Sequence, residues 1–134
     1  MEWGRRLRLL LDTHALIWWG TKNPKLSPRA TEAISLAGED AFVSAASVWE
    51  IATKIRSGRL QEFENASYSL VERISLLGFS SLPVTPAHAE KAGYLDHKHK
   101  DPFDRMLIAQ ALVEGLVIIS NETLFDQFGV PRLW

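Results

Sequence analysis

Four acidic residues lie in distant parts of the chain at places where one fold could gather them: Asp12, Glu50, Asp104 and Glu122. Like charges repel, so a cluster of carboxylates needs a cation to be stable. A divalent ion held by carboxylates can bridge phosphate oxygens, orient a water and stabilise charge on a leaving oxygen. The natural chemistry of such a site is hydrolysis of a phosphodiester, with one ion or with two. The chain has no cysteine, which excludes disulfides, a cysteine nucleophile and thiolate metal sites. Any metal therefore sits on oxygen or imidazole, which points to magnesium or manganese, or else to a histidine site.

Each acid also has a plainer reading. Asp12 directly follows an apolar run, where an aspartate commonly caps the next helix, so cap and site are evenly matched. Glu50 lies off the apolar stripe of Val48, Ile51, Ala52 and Ile55 and reads as solvated. Glu122 falls in the first turn of a short helix, where the dipole alone suits a carboxylate. Asp104 belongs to the most explicit stretch of the chain, from Lys100 to Leu112. There Asp101 is an N-cap, Pro102 occupies the first helical position, and Asp104 follows in a capping-box arrangement. Asp104 shares a face with Leu107 and Ile108, so it points toward the body of the protein, and taken alone this stretch favours a helix cap. What favours the ion is the coincidence of all four acids.

That coincidence depends on the elements that carry them. Apolar runs of strand length occur at Leu7 to Leu11, Ala41 to Ser44, Ser81 to Val84 and Leu116 to Ser120, with a last edge strand from Val130 to Trp134. Pro83 makes the third an edge strand. Between them lie helical segments: Thr13 to about Gly20, one capped by Ser27 with Pro28, and one starting at Ser44 or Ser47 and stopping at Gly58. Further helices run roughly from Asn65 to Leu77, from Pro86 (capped by Thr85) to about Leu95, from Pro102 to Gly115, and over Glu122 to Phe128. Strand and helix alternate, and the strands are continuous apolar runs, as in a parallel sheet covered on both faces. The expected architecture is a three-layer α/β/α sandwich with a mostly parallel sheet, one domain over residues 1–134. Ligands in such sheets bind beyond the carboxyl ends of the strands. That places Asp12 and Glu122 at one edge and allows Glu50 there; Asp104, which precedes a strand, is placed less firmly.

The net charge of −1 argues against whole-protein steering toward nucleic acid but leaves room for a local basic patch. Arg5-Arg6-Leu7-Arg8 imitates a signal peptide, yet Arg8, Asp12 and His14 interrupt the apolar region and no cleavage site follows. No apolar stretch approaches membrane-spanning length. A cytoplasmic protein is expected.

The segments Leu9-Leu10-Leu11-Asp12-Thr13-His14-Ala15, Ser47-Val48-Trp49-Glu50-Ile51, Asp101-Pro102-Phe103-Asp104-Arg105 and Gly129-Val130-Pro131-Arg132-Leu133-Trp134 resemble those of PIN-domain ribonucleases, in particular the VapC-like toxins of toxin–antitoxin pairs. The resemblance implies a PIN-like fold and a magnesium- or manganese-dependent endoribonuclease restrained by a VapB-like antitoxin, with a homodimer expected. It assigns Asp12 and Asp104 to the metal and Glu50 to the family's second acidic motif, while Asp101 remains a cap. Where the family usually has Thr-x-Asp, this chain has Ser120-Asn121-Glu122. The hydroxyl is kept, but the added methylene of Glu122 shifts its carboxylate. Glu50 and Glu122 are expected to act through water or at a second ion.

An acidic cleft that takes RNA needs basic residues around it. His14, Lys54 and Arg105 are the candidates for substrate contact, with Arg56, Arg59, His97, Lys98, His99 and Lys100 nearby, although any single one reads first as a solvated charge. His88 is expected on a helix surface. Trp18, Trp19 and Trp49 are expected to pack in the core, or else to form a groove for an antitoxin helix or a dimer partner. Two other readings compete. One is a PIN-like module that binds RNA or protein without catalysis, which the Glu122 departure favours. The other is a phospho-acceptor domain using Asp12 as nucleophile, which lacks the lysine it needs after Val84 or Ile119.

Overall fold

The computed structural model of the chain describes residues 7–63, 68–96 and 99–134. Five short strands, β1 (Leu9–Leu11), β2 (Ala41–Ser44), β3 (Ser80–Leu82), β4 (Val117–Ile119) and β5 (Arg132–Leu133), form one sheet in the order β3-β2-β1-β4-β5. Every pairing is parallel, so the sheet expected to be mostly parallel is wholly so. Leu9, Leu10 and Leu11 of the central strand are all fully buried, which is why its sequence is a continuous apolar run. Successive side chains leave a strand on opposite faces. Leu9 and Leu11 join Leu16, Ile34, Ile51 and Phe63 on one side, whereas Leu10 joins Leu107, Ile108, Ile118 and Phe125 on the other.

Helices α1 (Thr13–Gly20), α2 (Pro28–Ala37), α3 (Ala45–Arg56) and α4 (Leu70–Leu76) supply the first of these clusters. Helix α6 (Pro102–Glu114) and a 3-10 turn at Thr123–Phe128 supply the second, with α5 (Pro86–Tyr94) packed on α6. Three layers result, as expected. All six α-helices among the described residues start on a side-chain cap, from Asp12, Ser27, Ser44, Ser69, Thr85 and Asp101 in turn. Each such cap contributes about 1 kcal/mol. Gly115, left-handed at φ 68°, closes α6 where a side chain would be strained.

Two local expectations change and a third is refined. The helix placed at 65–77 starts at Leu70 behind Ser69, and residues 64–67 lie outside the described residues. The short helix expected over Glu122 to Phe128 is present as a 3-10 helix over Thr123–Phe128. His88, expected on a surface, is fully buried between α5 and α6. Its Nδ1 accepts the Thr85 N–H (3.0 Å), Thr85 Oγ1 accepts the His88 N–H (3.2 Å), and Nε2 lies 2.7 Å from Glu114 Oε2. A histidine can complete a capping box as glutamate does, because an imidazole nitrogen also accepts a hydrogen bond. His88→Ala leaves both partners unsatisfied beside a void, so it is expected to lower unfolding stability by about 2–4 kcal/mol in a urea titration. Lys91→Ala, on the exposed side of the same helix, is expected to stay within about 0.5 kcal/mol.

The register of the two central strands positions the site. Leu11 lies opposite Ile119, and the Asp12 N–H donates to the Ile119 carbonyl at 3.1 Å. The order of connections reverses between β1 and β4, and the crevice at such a reversal is where open α/β sheets bind ligands.

Candidate active site

Asp12 leaves β1 at that crevice and is 4% exposed. Its Oδ1 accepts the Ala15 N–H at 2.8 Å, so it caps α1 and sits in the site at once; the two readings of this residue do not compete. Burial pushes its carboxyl up to about 6, and the neighbouring Glu122 charge pushes the same way. The Ser120 hydroxyl, the Ala15 N–H and His14 pull it back. Ser120 is fully buried at the end of β4, and its Oγ also accepts the Glu122 N–H at 2.9 Å. One hydroxyl thus ties the first acid to the backbone of the fourth.

Asp104 stands in the first turn of α6 and is only part-buried. Burial raises its pKa above the usual carboxylate value, a hydrogen bond and charge from His99 lower it, and the Asp101 and Glu122 charges raise it further. The His99 Nε2 lies 2.8 Å from Asp104 Oδ2, so this carboxylate is fixed by the imidazole. Asp101 is the cap, accepting the Phe103 and Asp104 N–H groups. Glu122 is the group that joins the ends of the chain: its charge acts on both Asp12 and Asp104.

Glu50 is neither solvated nor free. Its Oε1 accepts the Thr13 hydroxyl at 2.5 Å, and Ser47 Oγ lies 3.2 Å from the same threonine oxygen. Its Oε2 lies 3.4 Å from Lys54 Nζ. Glu50 therefore reaches the site through Thr13, the residue after Asp12. Sequence reasoning misses this role of Thr13; the only trace of it there is a hydroxyl adjacent to Asp12.

Among the described residues no three carboxylate or histidine side chains already surround a single point closely enough to hold a cation. The Glu122 charge acts on Asp12 and on Asp104, while Glu50 is tethered to Thr13. The donor chemistry still fits a hard divalent ion, being carboxylate and hydroxyl oxygen with no sulfur.

The basic candidates divide. His14 is exposed at the rim and stacks on Trp18 at 5.5 Å between ring centroids. Lys54 is paired with Glu50. Arg105 is not available to substrate in the way expected. Its Nη1 donates to the His99 carbonyl (3.0 Å) and its Nη2 to those of Ala92 (2.8 Å) and Leu95 (2.9 Å). It straps the end of α5 and the segment before α6 onto α6 itself. Arg56, Arg59 and Lys100 are exposed, and His97 and Lys98 lie outside the described residues. Of the aromatics, Trp18 and Trp19 are half-buried and line a groove of about 450 Å³ with Gly20, Leu26 and Leu77. Trp49, expected in the core, is 65% exposed.

The PIN domain family model matches residues 9–131. The chain is 30% identical over 128 residues to ribonuclease VapC22 of Mycobacterium tuberculosis, covering 92% of this chain and 94% of that protein. Among solved structures, VapBC2 from Rickettsia felis bound to a promoter DNA fragment superposes with a TM-score of 0.68 at 11% identity, over 93% of this chain and 96% of its own. DNA-bound VapBC from Salmonella typhimurium gives 0.66 at 17% identity, over 95% and 97%. FitAcB from Neisseria gonorrhoeae gives 0.65 at 19%, over 94% and 96%. Those structures share the fold, and the family model spans all four acids: the chain belongs to the PIN domain family.

Proposed function

We propose that this chain is a divalent-metal-dependent endoribonuclease and the toxin half of a VapBC-like pair, acting through one catalytic domain. One observation carries the reading: Asp12 and Glu122 leave adjacent central strands at the switch point, and Glu122 acts on both Asp12 and Asp104. Asp12 and Asp104 are the residues that would hold magnesium or manganese, with Glu122 and Glu50 acting through water or at a second ion. When bound, the ion supplies Lewis-acid stabilisation of charge on the scissile phosphate. The chain's own groups fix the geometry around it. The Ser120 hydroxyl holds Asp12 and the Glu122 backbone in register, Thr13 turns Glu50 toward the crevice, and His99 fixes the rotation of Asp104.

Partners follow from the same reading. Two of the solved structures named above are DNA-bound VapBC, and the Trp18–Trp19 groove is an apolar surface that would take a VapB-like helix; a homodimer goes with the family. No helix among the described residues is long and apolar enough to cross a membrane; a nuclease acting on cellular RNA would work in the cytoplasm. The test is incubation of purified protein with mixed single-stranded RNA. Cleavage is expected with magnesium or manganese, none with EDTA, and at least about a hundredfold less with Asp104→Asn. RNA bound but left intact under every metal condition would point instead to a non-catalytic module.

A further inference from the structure

We propose that Trp49, with Phe103 behind it, is a stacking platform for an unpaired base of the RNA beside the acidic crevice. The inference rests on the ribonuclease reading above and names a substrate contact of the same site. Tryptophan is highly buried on average, and Trp18, Trp19 and Trp134 are at least half-buried here, whereas Trp49 is 65% exposed. Its own helix leaves the indole uncovered. The neighbours four residues before and three after are Ala45 and Ala52, both exposed and too small to lie over an indole.

The indole is nevertheless held in place. It meets the Phe103 ring at 4.9 Å between centroids and 74° between planes. That is the edge-to-face arrangement that fixes one ring against the other and leaves a face open. Position selects the occupant. Trp49 immediately precedes Glu50 on α3, and Phe103 immediately precedes Asp104 on α6, so the pair bridges the two helices that bring these acids to the crevice. A strand whose phosphate is held at the acids has its neighbouring bases at this rim. Every base has a π-face, and stacking on an aromatic side chain serves single strands without regard to sequence. A duplex keeps its bases paired and gives such a platform nothing to take.

The test uses the full chain in an Asp12→Asn background, so that RNA is bound and not cut. A short fluorescein-labelled single-stranded RNA of mixed sequence is titrated by anisotropy, alongside the same strand in a duplex. Trp49→Ala is expected to weaken single-strand binding about 5- to 100-fold and duplex binding little, with Trp49→Phe retaining most of the affinity. An abasic scan of the RNA should find one position whose loss weakens the Asp12→Asn protein and adds nothing in the Trp49→Ala variant. Equal affinity for the chain that keeps Trp49 and for its Trp49→Phe and Trp49→Ala variants overturns the platform and leaves the nuclease reading intact. Absence of RNA binding in all of them, with no cleavage by the wild type, removes the nuclease reading itself. Light scattering supplies the remaining arm: if Trp49→Ala changes the oligomeric state and binding falls only with it, the surface is covered by a second copy of the chain, and the platform is wrong.

Discussion

Asp12→Asn is expected to abolish metal-dependent RNA cleavage and, at the same time, to make the metal-free protein more stable. Loss of a carboxylate ligand removes at least about a hundredfold of activity. The gain in stability comes from the same burial. Asp12 has a carboxyl of about 6 in the folded chain against 3.8 in an unconstrained one. The folded state therefore holds the proton more tightly, and the stability this provides is complete below 3.8 and lost as pH rises through 6. At pH 7 that displacement corresponds to about 3 kcal/mol held against the ionised wild type. Asparagine keeps the shape and the oxygen that accepts the Ala15 N–H but carries no charge. Thermal melts in EDTA at about pH 7.5 should place the variant several degrees above wild type, with the gap closing between about pH 6 and pH 4. Manganese should raise the wild-type midpoint by preferential binding to the folded state and leave Asp12→Asn unmoved. A variant less stable than wild type at every pH would mean that the ionised Asp12 carboxylate is compensated in the folded chain rather than held there at a cost.

Arg105→Met is the second large effect, and it is one of stability. The guanidinium donates to three carbonyls, from Ala92, Leu95 and His99, and charged hydrogen bonds of this kind are worth more than neutral ones. Their loss is expected to lower stability by about 2–4 kcal/mol, a fall in melting temperature on the order of 10 °C. Arg105→Lys should restore little, because one ammonium nitrogen lacks the spread of the two guanidinium nitrogens that reach these carbonyls. The strap carries the segment that ends in His99, so both variants should also loosen His99 from Asp104, seen as faster amide exchange at residues 99 to 104. If Arg105 instead contacts substrate, Arg105→Met will keep its melting temperature and lose RNA affinity.

Arg105 shows where reading a sequence stops. Its neighbours in the chain, Asp101-Pro102-Phe103-Asp104, are legible because capping is a relation among residues three or four apart, which sequence displays directly. The caps at Ser27, Thr85 and Asp101 are of this kind, and so are the five apolar runs that form five strands. The partners of Arg105 lie 6 to 13 residues away, with a loop between, and no periodicity records which carbonyls a long side chain finds. His88 is misplaced by sequence for the same reason, since its partner Glu114 is 26 residues distant on another helix. Trp49 fails in the opposite direction. Large aromatics belong inside by default, and only the packing of α3 against α6 reveals one with nothing over it.

Local residue patterns were enough to dictate the alternation of strand and helix, the parallel sheet, most of the helix starts, and which carboxylates were worth watching. These follow from propensity and from burial of continuous apolar runs, both properties of short windows. Folding in three dimensions was needed to make Glu122 rather than Glu50 the acid felt by both Asp12 and Asp104, and to hang Glu50 from Thr13. Strand register and helix packing set those distances, and electrostatic and hydrogen-bond energies depend on separation in space, to which separation along the chain is no guide.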